Sequence, residues 1–71
     1  MGGFREMDPK AQAMIDALPW QYRRKALDGW WMEFDYWWDL EEVPYKKYNK
    51  GRFHANTRLR KFCEKVNKKG A

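Results

Sequence analysis

The 71-residue chain carries five Trp, four Tyr and four Phe but one cysteine and one histidine, which leaves room for a single small domain held by ring packing rather than by a disulfide or a zinc site. Its net charge of +5 conceals a division, since residues 1–43 hold five Lys/Arg and nine Asp/Glu while residues 44–71 hold ten and one. Such asymmetry favours a binder of macromolecules over a small enzyme, and without an apolar run near ~18 residues a membrane-spanning helix is excluded.

Residues 1–7 read as a flexible leader. The start, MGGFREMDPK, lacks the apolar run of a secretory signal, and Glu6 stands where the myristoylation pattern requires Ser or Thr. A lone cysteine suits a reducing compartment, so the chain is expected to be soluble and cytoplasmic. Asp8-Pro9 supplies an N-cap followed by proline at the first helical position, which opens a helix over 8–18 with Met14, Ile15 and Leu18 on its buried side. Pro19 ends it by driving the preceding residue out of the α region.

Pro19 also opens a long helix over 20–42. Its second part, DGWWMEFDYWWDLEE from Asp28 to Glu42, has four Trp, Phe34 and Tyr36 among six acids and neither Lys nor Arg. Leu27, Trp30/Trp31, Phe34 and Trp37/Trp38 recur at helical spacing, and the paired tryptophans break the alternation of a strand. Gly29 costs about 1 kcal/mol against Ala in a helix, so a break at Asp28-Gly29 is the alternative to one continuous element. Val43-Pro44 terminates the run.

On a wheel of about 100° per residue, Trp20, Leu27, Trp30, Trp31, Phe34, Trp37 and Trp38 fall within an arc of roughly 120°, the width of a core-facing stripe. Asp28, Asp35, Asp39 and Glu42 lie beside it. Beyond them Met32, Tyr36 and Leu40 form a second apolar strip. Two short helices have little surface with which to cover both strips, and an uncovered aromatic strip marks an interaction site. Trp31, Met32, Asp35, Tyr36, Asp39 and Leu40 are therefore the expected protein-binding residues. The acids between the strips are either a solvated face or a row that imitates phosphates in a basic groove.

Residues 43–56 read as a basic aromatic loop with a turn near Asn49-Lys50-Gly51. Asn56 then caps a last helix over 57–68, with Leu59, Phe62, Cys63 and Val66 as its apolar stripe. In the loop, Lys46, Lys47, Tyr48, Lys50 and Arg52 interleave cations with rings, the composition of a surface that stacks bases and tracks a phosphate backbone. On the helix, Arg58, Lys61, Lys65 and Lys68 face away from the apolar stripe. These nine are the expected nucleic-acid contacts, set against a plainly solvated face.

The chain lacks the patterns of catalysis. His54 has no evident nucleophile, Cys63 falls in a buried stripe, and there is no Gly-rich phosphate loop, HExxH or CxxC. The expectation is an all-α, compact domain of three or four helices with a basic loop before the last, without enzymatic activity, cofactor or metal. Its expected role is to regulate or inhibit a larger, nucleic-acid-handling protein or nucleoprotein by docking through the aromatic-acidic helix. Two alternatives stand beside it: direct nucleic-acid binding through the basic half, and a homodimer or larger homo-oligomer in which the acidic helix meets the basic one.

Overall fold

A computed structural model describes residues 6–70, and the side chains of residues 6–68 among them. The protein is all-α: α1 (Pro9–Asp16), α2 (Trp20–Leu40), a 3-10 turn (Pro44–Lys46) and α3 (Lys47–Gly70). α2 and α3 form an antiparallel hairpin, and α1 packs on both.

α1 starts as its sequence dictates. Asp8 holds an extended backbone while its carboxylate accepts from the amide of Lys10 at 3.3 Å, and Pro9 occupies the first turn, where its missing N–H costs nothing. The helix ends at Asp16, two residues short of the expected boundary, because the amides of Ala17 and Leu18 bond back to Ala13 and Ile15 in a closing turn. Arg23 Nε then donates to the Leu18 carbonyl at 2.8 Å, fastening the Pro19 corner. The expected leader over 1–7 needs correction at its last two positions: Tyr48 donates its hydroxyl to the Glu6 carbonyl at 3.1 Å, and Met7 packs against the core. Residues 1–5 lie outside the described part.

α2 runs unbroken through Gly29. The neighbouring turns are fixed by Ala26, Trp30 and Phe34, all buried, and that burial outweighs the backbone freedom of one glycine. Phe34 is the hub. Its ring stacks on Trp30 at 5.1 Å and 17°, meets Trp31 and Tyr48 edge-on at 5.4 and 5.6 Å, and lies 5.5 Å from Trp38. Contacts of this kind add about 0.5–1.5 kcal/mol each beyond area burial, and Phe34 makes four of them. Trp20 departs from the expected stripe: it is 79% exposed at the first residue of α2, although Leu18 and Tyr22 on either side of it reach the core.

The expected loop over 43–56 is helical from Lys47 onward, so α3 begins ten residues before the expected start at 57. Gly51 explains the difference. A Cβ there would lie 2.8 Å from the backbone oxygen of Phe34 and 3.0 Å from its ring, so the glycine serves close helix approach rather than a turn. Gly51, Ala55, Leu59 and Val66 form the buried seam of α3. Asn56, expected as an N-cap, sits inside the helix and turns inward. Lys47 closes the hairpin by donating to the carbonyls of Trp38 at 3.0 Å and Glu41 at 2.6 Å, thereby satisfying acceptors that the end of α2 leaves open.

Candidate functional site

Met32, Tyr36 and Leu40 follow one another at single-turn spacing along α2, and their exposures are 67%, 59% and 51%. Neither α1 nor α3 covers this second strip. Asp28, Asp39 and Glu42 are exposed beside it and Asp35 is half-buried; Arg24 pairs with Asp28 at 3.2 Å. Trp31 belongs elsewhere. It is half-buried, with its ring edge-on to Trp30 at 4.9 Å and to Phe34, which places it at the margin of the core.

The strip continues onto α3 through a chain of rings. Tyr36 meets Trp37 edge-on at 5.4 Å, Trp37 lies flat on His54 with centroids 3.7 Å apart and planes at 14°, and Phe53, 65% exposed, meets His54 edge-on at 5.2 Å. Trp37 is fixed by a hydrogen bond from its Nε1 to Glu33 at 2.7 Å. Lys50 Nζ stands 5.7 Å from the Trp37 ring centroid, within cation–π range, and 3.7 Å from a carboxylate oxygen of Glu41. Glu41 also accepts from the amide of Val43 at 3.1 Å. That backbone hydrogen bond is the main reason its carboxyl lies below the ordinary carboxylate value; Lys50 and Lys46 act in the same direction, against the opposing effect of burial.

The expected nucleic-acid contacts divide into two sets. Before Gly51, three serve the fold: Lys47 closes α2, Tyr48 packs on Phe34 and bonds Glu6, and Lys50 is shared with Glu41 and Trp37, whereas Lys46 is exposed and leans over the exposed ring of Tyr45 at 5.9 Å. Arg52 is half-buried. Beyond Gly51, Lys61, Lys65 and Lys68 are exposed, and Arg58 is exposed with one N–H reaching Glu33 at 3.4 Å. Lys25 of α2, which the sequence reading passed over, joins this second set. It shares with Arg58 a depression of about 340 Å³ between α2 and α3, completed by Tyr22, Phe62, Lys65 and Val66. Its α2 position relative to Ala26 and Gly29 would have placed it next to the α3 seam, had that seam been recognised.

Glu33 was missed as well, and His54, expected among the rings and cations of a loop, was not placed on Trp37. Both sit where the helices meet, and contacts between helices leave no mark in the spacing along either one. Among the described residues no group of three or more His, Cys, Asp or Glu is arranged to hold a metal ion. The site offers surfaces: an exposed apolar strip edged by acids, and a cation-lined furrow beside it. No protein-family model, curated protein or solved structure matches the chain.

Proposed function

We propose that this chain is a non-enzymatic accessory or inhibitory protein that docks on a larger nucleic-acid-handling protein, seating Met32, Tyr36 and Leu40 in an apolar groove with a basic rim. The observation that carries this reading is the exposure of those three side chains at four-residue intervals on a helix whose other face is already buried. A rigid helix presenting apolar anchors one turn apart is the helix-in-groove mode of recognition. Tyr is among the side chains that dominate such interfaces. The acids beside the strip select the partner, since Asp39 and Glu42 are exposed and would meet Lys or Arg at the groove's edge, as a phosphate backbone would.

Capture from a nuclease-treated lysate tests this. Wild type and Lys61→Glu should retain one and the same protein through nuclease treatment, Tyr36→Ala/Leu40→Ala should lose it, and Asp39→Lys should hold it more weakly. Capture that survives the double substitution, or that nuclease abolishes, overturns the reading. So does concentration-dependent self-association in sedimentation that Tyr36→Ala/Leu40→Ala removes, because the strip would then belong to a second copy.

A further inference from the structure

The furrow between α2 and α3 goes beyond docking and does not depend on it. Lys25 and Arg58 line three adjoining depressions along this flank, and none of the three has an α1 residue in its wall. The section of about 340 Å³ contains three cations and no acid. In the neighbouring section Asp28 is the one carboxylate, and Arg24 already holds it. Met32 stands on the rim there, so strip and furrow share a border.

The cations are not consumed by the fold. Among the described residues Lys25, Lys61 and Lys65 enter no ion pair, and Arg58 commits a single N–H to Glu33, leaving most of its guanidinium donors open. Arg58, Lys61 and Lys65 follow at i, i+3 and i+7, the spacing of one helix face. Tyr22 and Phe62 meet edge-on at 6.3 Å inside the furrow. The Trp37–His54 stack lies outside the three depressions, further along the same helix pair and past Glu33, whose carboxylate is held by both Trp37 Nε1 and Arg58. Gly29 keeps the floor low, with nothing nearer to its missing Cβ than Arg58 Nε at 3.6 Å.

We infer that this furrow binds single-stranded nucleic acid, with Lys25, Arg58, Lys61 and Lys65 on the phosphates and the Trp37–His54 stack as a platform for an unpaired base. Cations placed in a groove with aromatic faces beside them are the general means of holding a single strand without reading its sequence. The geometry selects against a duplex. Helices packed at about 8–10 Å leave a furrow between them that accepts one strand, whereas a duplex major groove needs a protruding element to fill its ~12 Å width. An acidic peptide would satisfy the cations but would leave the ring platform without a use.

Fluorescence anisotropy with purified protein and labelled oligothymidylate or oligouridylate of about 12 nucleotides is the test. Four phosphate contacts predict a slope of log K against log salt of about −3, and Lys25→Ala/Lys65→Ala should halve it to about −1.4. Trp37→Leu, which keeps an apolar side chain, should lower affinity at least about fivefold and leave the slope unchanged. Leu40→Ala, which leaves the Tyr36–Trp37 contact in place, should bind as wild type does, which separates this result from the fate of the docking reading. The inference is overturned by no binding at the lowest salt, by indifference to Lys25→Ala/Lys65→Ala, or by a duplex or a polyglutamate peptide binding as tightly as the single strand.

Discussion

Trp30 donates its indole N–H to the side-chain oxygen of Asn56 at 2.8 Å, and Asn56 in turn donates to the buried carboxylate of Asp8 at 2.7 Å. One amide thus joins α2, α3 and the cap of α1. Asp8 is 4% exposed and Trp30 is 1% exposed, so neither can turn to water if Asn56 is removed. Asn56→Ala is expected to destabilise the fold by about 2–4 kcal/mol, because it strands both a donor and a carboxylate. A chain of this size has roughly 4–10 kcal/mol in total. The urea midpoint should fall with an unchanged slope, and a shift of only a few tenths of a kcal/mol would show that water replaces the amide.

The two helical glycines should respond in opposite directions to alanine. At Gly51 the new Cβ would meet the Phe34 backbone oxygen at 2.8 Å, and backbone cannot step aside as a flexible side chain can. Gly51→Ala is expected to cost about 1–3 kcal/mol by overpacking, despite the gain in helix propensity. At Gly29 the nearest atom is 3.6 Å away, so Gly29→Ala is expected to stabilise by about 0.5–1 kcal/mol. Thermal melts of the two variants decide this, and equal shifts would contradict the packing described.

How far the sequence could be read follows from these residues. α2 was legible because Leu27, Trp30, Phe34 and Trp38 are large and recur every three or four positions, and the start of α1 was legible because Asp8-Pro9 acts locally. The first half of α3 was hidden. Its seam is built of Gly51 and Ala55, small residues that raise no hydrophobic signal, and Asn49-Lys50-Gly51 carries the composition of a turn. Asn56 misled in the same way, since a good capping residue is equally a good buried hydrogen-bonding residue, and only the position of Trp30 and Asp8 in space distinguishes the two. The exposed strip was legible from the wheel; the furrow was not, because it belongs to two helices at once.

Exposure of the strip predicts that its side chains do little for stability. Met32→Gln and Leu40→Gln exchange apolar for polar at similar helix propensity, and each should change unfolding free energy by no more than about 0.5 kcal/mol. Denaturant titration checks this. A loss several times larger would mean that the strip belongs to the core.

Glu41 should shape the acid limb of stability. Its pKa in the fold is lowered from the ordinary 4.5, chiefly by the Val43 amide, so its contribution is present above 4.5 and is lost as the pH falls through the lowered value. Glu41→Gln removes that contribution. The stability difference between wild type and Glu41→Gln should therefore shrink on acidification below 4.5; a difference that stays constant with pH would assign the contact no electrostatic part.

Cys63 is half-buried, and loss of solvent raises its thiol pKa above the ordinary 9.0. At neutral pH it should react with a disulfide reagent more slowly than a free thiol does, and denaturant should restore the ordinary rate. Equal rates with and without denaturant would show a thiol that the fold does not shield.

The tethers of α1 differ from the rest of the molecule in how far they reach along the chain. Lys47 bonds Trp38 across nine residues, whereas Tyr48 reaches Glu6 across 42 and Asn56 reaches Asp8 across 48. Contacts between near neighbours form before those that must first close a long loop. This predicts an order of assembly in which the α2/α3 hairpin forms from its Lys47 clasp, and α1, joined to α2 only by the Pro19 corner until then, docks on the pair last. Breaking the Asn56 tether at Asp8, which leaves the Trp30–Asn56 bond between α2 and α3 in place, should shorten the lifetime of the folded state while leaving the speed of folding nearly untouched, as stopped-flow refolding and unfolding of Asp8→Ala would show.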